Sequence, residues 1–226
     1  MFRVKICGLT CPEDALVAAE AGADAIGLNF YSRSKRCVSV KRAEEISAAL
    51  PPGIVKVGVF LNAELDAIRA AHAAVRFDLL QLHGDEPPEF LHELRGSDLA
   101  ELSVMRALAC GSSLAQVGDY LDRCRQLDCL PRLVLLDAAV AGARGGTGAT
   151  CDWQTAAKYH EIRHAPPLVL AGGLTAENVA AAIAAVRPAA VDVASGVENA
   201  LGRKDAEQVR RFVAAAKAAA PSKVTR

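Results

Sequence analysis

The sequence has no excess of charge of either sign. Lys and Arg together number 26, and Asp and Glu together also number 26. A strongly basic chain would be drawn to nucleic acid or to an anionic membrane surface, and this chain has no such overall field. We therefore expect neither nucleic acid nor a membrane among its partners. Any anion that the protein binds must be held by local geometry.

A long apolar run is also missing. The amino terminus, MFRVKICG, places charged residues inside a short apolar stretch. It therefore offers neither the apolar segment of a secretory signal nor the roughly 20 apolar residues of a membrane span. On this basis we expect a cytoplasmic protein.

The cysteines and histidines show no paired spacing. Seven cysteines, an odd number, lie at positions 7, 11, 37, 110, 124, 129 and 151. This scatter favours reduced thiols over a disulfide framework. The five histidines form no spaced ligand pair with the cysteines, so we expect no metal site.

Short runs rich in β-branched and apolar residues alternate along the chain with longer segments whose apolar residues recur every three or four positions. Gly, Pro, Asn and Asp mark the junctions between them. The predicted strands are 3–7, 24–30, 55–60, 79–83, 102–108, 133–138, 168–173 and 190–195. The predicted helices are 12–22, 40–50, 64–75, 87–95, 112–127, 153–162, 176–186 and 205–219.

Eight strand–helix units in a chain of 226 residues predict an α/β fold, a parallel eight-stranded barrel with the helices outside. We expect one single-domain (β/α)8 TIM barrel over residues 1–226, with 220–226 as a frayed tail. An open doubly wound sheet would have fewer strands and a glycine-rich dinucleotide motif after the first strand. CGLTCPEDA does not provide that motif.

Active sites of such barrels lie where the carboxyl ends of the strands meet. Side chains alternate along a strand, so Lys5 shares a face with Cys7, and Asp137 lies on one face with Leu135. If those faces point inward, Cys7 and Asp137 overlook one cavity. On residue type alone, however, a cysteine such as Cys7 is more often a small buried core residue than a reactive thiol.

The last two predicted strands end in glycine-rich turns, AGGL and ASGV. Barrels of this kind bind phosphate at the loops after their seventh and eighth strands, where backbone N–H groups meet the anion. Glycine allows the close approach that this requires. We therefore predict that Gly172, Gly173, Ser195 and Gly196 hold a phosphate group.

Two further segments have two interpretations each. The stretch ARGGTGATCDW, residues 143–153, is either a lid over the site or a linker to the next helix. Arg36, in SRSKR, is either a partner for a carboxylate, since guanidinium can donate two parallel hydrogen bonds, or part of a charged surface loop.

The motifs taken together resemble those of the phosphoribosylanthranilate isomerase family of tryptophan biosynthesis. The resemblance runs nearly from end to end and in order. It rests on RVKICGLT, SRSKR, VGVF, LQLHGDE, LLDA, GGTGATCDW, LAGGL, VDVASGVE and GRKD. A lone AGGL would be shared with many phosphate-binding barrels, whereas the full series is specific.

The resemblance implies an Amadori rearrangement of an aminoaldose phosphate to an aminoketose, with no cofactor. It gives Cys7 the position of the general base and Asp137 that of the general acid. Arg36 takes the position that pairs with the anthranilate carboxylate, and His83 and Asp192 match pocket positions. The glycine-rich turns fall on the family's phosphate loops. The partner is thus a small phosphorylated substrate, and a monomer and a homodimer both remain open.

Two rival functions are compatible with a barrel of this kind. The related isomerase of histidine biosynthesis performs the same rearrangement on a different amine, but it would favour an aspartate where this sequence has Cys7. Alternatively, the barrel could bind a phosphorylated metabolite without catalysing a reaction. Turnover of the anthranilate substrate would separate these functions.

Overall fold

The computed structural model describes residues 2–138 and 152–219. Most of the glycine-rich segment 143–153 and the predicted frayed tail 220–226 lie outside the described residues. Eight strands alternate with helices: β1 (Val4–Cys7), β2 (Ala25–Asn29), β3 (Val55–Phe60), β4 (Leu79–Leu82), β5 (Ser103–Cys110), β6 (Leu133–Ala138), β7 (Leu168–Leu170) and β8 (Ala190–Val193).

The strands form a closed barrel in which each pairs with its neighbours in sequence, and β1 also pairs with β8. All of these pairings are parallel, and in the closing pair Lys5 lies opposite Asp192. The predicted parallel eight-stranded barrel is therefore confirmed. Its closure removes both sheet edges, so every strand has two hydrogen-bonded neighbours.

The helices are α1 (Pro12–Glu20), α2 (Val40–Ala49), α3 (Leu65–Val75), α4 (Pro88–Arg95), α5 (Ala115–Gln126), α6 (Trp153–Ala157), α7 (Val179–Val186) and α8 (Ala206–Ala219). Helix α1 begins as its sequence predicts, with Pro12 in the first turn followed by Glu13 and Asp14. Helix α6 is shorter than predicted, because its chain tightens into a 3₁₀ helix at Lys158–Glu161.

Two predicted boundaries near the barrel mouth are wrong for local reasons. Strand β7 ends at Leu170, because Gly172 and Gly173 adopt φ angles of 86° and 63° that a strand cannot continue. Helix α7 begins three residues late, at Val179. The Asn178 side chain accepts a hydrogen bond from the backbone of Thr175 and donates to Gly173, which holds this segment in a turn.

The core has two layers, one on each face of the sheet. Side chains such as Ile6, Leu80 and Val134 point outward and pack beneath the helices. Val57, Met105 and the other members of a second buried cluster fill the barrel interior. Because inward and outward side chains alternate along each strand, this layering carries Lys5 and Cys7 to the inside of the barrel.

After β8 the chain adds a feature that the sequence did not predict. Strands β9 (Glu198–Ala200) and β10 (Arg203–Lys204) form a short antiparallel hairpin, which we call the mouth hairpin. Gly202 turns the chain with a φ of 78°. Thr10, in the loop after β1, donates a hydrogen bond of 2.6 Å to the Gly202 carbonyl and so ties the hairpin to the barrel mouth.

Among residues 2–138 and 152–219, none of the helices is both long and apolar enough to pass through a membrane.

Helix α8 provides a test of the outer core, because its Phe212 is completely buried beneath the helical layer. We expect Phe212→Ala to lower the free energy of unfolding by about 3–5 kcal/mol through lost burial and the remaining cavity. Urea denaturation would measure this change. Arg210→Ala, on the exposed face of the same helix, is the control and should stay within about 0.5 kcal/mol of the parent. Equal losses in the two variants would contradict this packing.

Candidate active site

A cavity of about 800 Å³ opens at the carboxyl ends of the strands. All nine residues that the sequence singled out line this one cavity, although they come from six different strand ends and loops. They are Cys7, Arg36, His83, Asp137, Gly172, Gly173, Asp192, Ser195 and Gly196. The structure thus brings the predicted base, acid, carboxylate partner and phosphate loops to one mouth.

Cys7 lies at the end of β1 beside a buried ion pair. The Nζ atom of Lys5, which is completely buried, lies 2.9 Å from Oδ1 of Asp192. A glycine at position 27 makes room for this group. A Cβ atom there would lie 2.6 Å from Sγ of Cys7 and 3.1 Å from Nζ of Lys5. The thiol and the ammonium therefore converge on the space above Gly27.

Burial and the Lys5 ammonium act on the pKa of the Cys7 thiol in opposite directions. Burial, the largest influence, raises the pKa of Cys7, and the Lys5 ammonium opposes this by stabilising the thiolate. Burial alone would lower the pKa of Lys5, but Asp192 and Cys7 raise the pKa above its usual value. Lys5 therefore remains a cation, held by Asp192, next to a thiol that needs a cation in order to ionise.

Asp137, at the carboxyl end of β6, faces His83, which follows β4. Nε2 of His83 lies 3.3 Å from Oδ2 of Asp137. On the other side of the ring, Nε2 of Gln81 lies 2.8 Å from Nδ1 of His83. In this orientation of the amide, its nitrogen donates to Nδ1, and a neutral His83 ring then carries its proton on Nε2, toward Asp137.

Arg36 reaches the cavity from the loop after β2, but its guanidinium already has a partner. Its Nε and Nη2 atoms donate to the two carboxylate oxygens of Glu198 at 2.7 and 2.8 Å. The hydrogen bonds to Glu198 raise the pKa of Arg36. The resemblance implies that Arg36 pairs with a carboxylate of the substrate. The structure shows that the guanidinium also pairs with a carboxylate of the protein itself, that of Glu198.

The two glycine-rich turns meet at the mouth through close backbone contacts. A Cβ atom on Gly196 would lie 1.8 Å from the carbonyl oxygen of Leu174, so only glycine fits there. The chain at Ser195–Val197 forms a single 3₁₀ turn immediately after β8. Both turns, the one with the left-handed Gly172 and Gly173 and the one at Ser195–Gly196, line the cavity.

Four side chains of the site were not among the predicted site residues. Lys5 and Gln81 lie on the same inward faces as Cys7 and His83, and strand alternation could have included them. Glu198 and Lys204 lie on the mouth hairpin, whose strands of three and two residues are too short to show a period. In the part of the chain that the structure describes, no group of three or more His, Cys, Asp or Glu residues could hold a metal ion.

Comparison with known proteins assigns the chain to a family. A family model described as N-(5'-phosphoribosyl)anthranilate (PRA) isomerase matches residues 4–215. The enzyme of that name from Rubrobacter xylanophilus is 45% identical over 217 residues, which cover 96% of this chain and 100% of the relative.

Solved structures agree with this assignment. The phosphoribosylanthranilate isomerase of Thermotoga maritima superposes with a TM-score of 0.82 at 39% identity, covering 96% of this chain and 100% of that one. A structure of such an isomerase in complex with reduced 1-(o-carboxyphenylamino)-1-deoxyribulose 5-phosphate has a TM-score of 0.79 at 38% identity, with the same coverage. The resemblance read from the motifs is confirmed: the chain belongs to the N-(5'-phosphoribosyl)anthranilate isomerase family and is an isomerase of tryptophan biosynthesis.

Proposed function

We propose that the chain converts N-(5-phosphoribosyl)anthranilate to 1-(2-carboxyphenylamino)-1-deoxyribulose 5-phosphate, with Cys7 as general base and Asp137 as general acid. One observation carries this assignment: the two side chains line one cavity from strands three positions apart around the closed barrel. An acid and a base in that arrangement can reach different sides of one bound sugar. The rearrangement moves hydrogen within the substrate, so it needs no external oxidant or reductant.

In the first step, Asp137 gives a proton to the ring oxygen of the furanose, and the ring opens to a Schiff base. Asp137 becomes a carboxylate as it does so. The Nε2–H of His83, 3.3 Å away, is placed to donate to that new charge. The contact of 2.8 Å between Nε2 of Gln81 and Nδ1 of His83 supports this role by fixing the orientation of the ring.

In the second step, the Cys7 thiolate removes the proton from C2′ of the Schiff base. The product is an enolamine, which tautomerises to the ketone. An ordinary thiol, with a pKa of about 8.5, is mostly protonated at neutral pH, so this step depends on a nearby cation. Lys5 supplies that positive charge from beneath the cavity floor.

Binding at the two ends of the substrate would orient the sugar between acid and base. The turns at Gly172–Gly173 and Ser195–Gly196 are proposed to hold the phosphate through backbone N–H groups. Arg36 is proposed to hold the anthranilate carboxylate. Fixing both ends supplies the orientation that lets a mild acid and a mild base suffice. We further propose that the enzyme works in the cytoplasm.

The acid–base assignment predicts the behaviour of two variants. Cys7→Ser and Asp137→Asn should each lower kcat by about 10²-fold or more, because general acid–base catalysis typically contributes about 10²–10⁴-fold. The KM should change little. The loss of anthranilate-substrate fluorescence on adding enzyme measures turnover. Cys37→Ser, at an exposed cysteine outside the cavity lining, is the matched control. Near-normal kcat in both site variants would remove the assignment.

The role of Lys5 predicts a pH dependence. The rate rises as pH passes through the pKa of the base, and removing a nearby positive charge raises the pKa of a thiol. Lys5→Met should therefore move the acidic limb of kcat/KM to higher pH and slow alkylation of Cys7 by iodoacetamide at neutral pH. Lys41→Met, at an exposed lysine, should leave both unchanged. An unshifted limb together with unchanged alkylation would show that Lys5 does not tune the thiol.

The phosphate turns predict a loss of binding when their close contact is broken. Gly196→Ala places a Cβ atom against the Leu174 carbonyl, so the turn must move. We expect the affinity for the substrate and for inorganic phosphate to fall by about tenfold or more, equivalent to about 1.4 kcal/mol. Calorimetric titration with phosphate measures this. Gly118→Ala on α5, where the added Cβ meets nothing within 4 Å, should bind phosphate normally. Unchanged binding by Gly196→Ala would place the phosphate elsewhere.

A further inference from the structure

The mouth hairpin places a carboxylate against Arg36 with both side chains largely withdrawn from water. Glu198 is 6% exposed and Arg36 is 13% exposed at the side chain. The contact is bidentate, since Nε and Nη2 donate to different oxygens of Glu198. A bidentate contact fixes the plane of the guanidinium as well as its position.

A guanidinium offers two edges for such contacts, one formed by Nε and Nη2 and the other by Nη1 and Nη2. Glu198 occupies the first edge. Nη1 of Arg36 makes no hydrogen bond to any atom of residues 2–138 and 152–219. The Arg36 side chain also lines the cavity. A second planar carboxylate therefore has one complete edge of Arg36 available to it.

The stem of Arg36 is held from below by the backbone of Gly8. A Cβ atom at Gly8 would lie 2.5 Å from Cδ of Arg36, so the side chain passes directly over this glycine. Contact with the backbone at one end and with Glu198 at the other removes most of the rotational freedom of a long side chain. The entropy that binding would otherwise cost has been lost already during folding.

Glu198 is itself anchored by Lys204 on the second strand of the hairpin. The buried Nζ atom of Lys204 donates to Oε1 of Glu198 and to the carbonyl of Ala194, both at 2.9 Å. Ala194 immediately precedes the Ser195–Gly196 turn. Burial by itself would raise the pKa of Glu198, but Arg36 and Lys204 together lower the pKa below its usual value. The carboxylate is therefore ionised and held at both oxygens.

The charges of this group leave a place for one more anion. Arg36 and Lys204 carry two positive charges, and Glu198 supplies one negative charge. One further carboxylate on the outer edge of Arg36 would balance the cluster. An aromatic carboxylate on the substrate fits this requirement, whereas an uncharged ring leaves a mostly buried guanidinium with a single anionic partner.

We propose that Glu198 is a positioning residue which orients Arg36 so that its outer edge selects substrates bearing an aryl carboxylate. Lys204 supports this role by holding Glu198 and by offsetting its charge. The inference rests on the proposed function, in which Arg36 meets the anthranilate end of the substrate. It adds that the selectivity arises from the hairpin, not from Arg36 alone.

The experiment compares two ligands that differ only in the carboxylate. One is the reduced 1-(2-carboxyphenylamino)-1-deoxyribulose 5-phosphate, and the other is its analogue without the carboxyl group. The variant is Glu198→Gln, whose amide nitrogen would face the guanidinium without accepting a hydrogen bond. Glu177→Gln is the matched control, because Glu177 pairs with Arg211 at 2.8 Å on the exposed surface.

We expect the parent to bind the carboxylated ligand about tenfold or more tightly than the analogue, since one bidentate pair is worth about 1.4 kcal/mol or more. In Glu198→Gln this ratio should fall by about tenfold, while the affinity for the analogue stays at the parent value. With the true substrate, KM should rise more than kcat falls. Glu177→Gln should keep the parent ratio.

Two results would overturn the proposal. An unchanged ratio in Glu198→Gln would show that Arg36 needs no help, and an equal loss for both ligands would show that the hairpin only supports the fold. Should Glu198→Gln not fold, Glu198→Asp allows the same comparison, because it keeps the charge and shortens the reach. Parent turnover, measured separately, distinguishes failure of the proposed function, since the binding ratio does not depend on catalysis.

Discussion

A completely buried ammonium at Lys5 is tolerated because the carboxylate of Asp192 lies 2.9 Å from it, across the seam where the first strand meets the last. Breaking such a pair by removing one partner typically costs about 3–5 kcal/mol, since an uncompensated charge is left inside. The same ammonium stands beside Cys7 and favours its thiolate. The pairing of β1 with β8 therefore both closes the barrel and places the Lys5 ammonium beside the proposed base. A shift in the register of these two strands would disturb both.

The chain carries no net charge, so the electrostatic field at the barrel mouth comes from the charged side chains placed there. Lys5, Arg36 and Lys204 are cations within or beside the cavity, and Asp192 and Glu198 are their carboxylate partners. The glycine-rich turns offer backbone N–H groups in place of side-chain charge, so the proposed phosphate site and the proposed carboxylate site use different kinds of hydrogen-bond donor.

Local periodicity and the geometry of parallel sheets were sufficient to predict the barrel and to place Cys7 and Asp137 where its strands end. The partners of the site residues were not predictable in this way. Glu198 meets Arg36 across 162 positions of sequence, and nothing in either segment encodes the distance. The end of β7 was predicted three residues too late. The left-handed φ of Gly172 stops the strand, and the composition of the segment does not show that conformation.

The pairing of Lys5 with Asp192 spans 187 positions, nearly the whole of the described chain. During synthesis on the ribosome, the first strand emerges long before the strand that neutralises its lysine and completes its hydrogen bonding. Until then, Lys5 lacks the carboxylate of Asp192 that holds its charge beside Cys7. The charge arrangement around Cys7 is therefore complete only after translation has supplied the eighth strand to pair with the first.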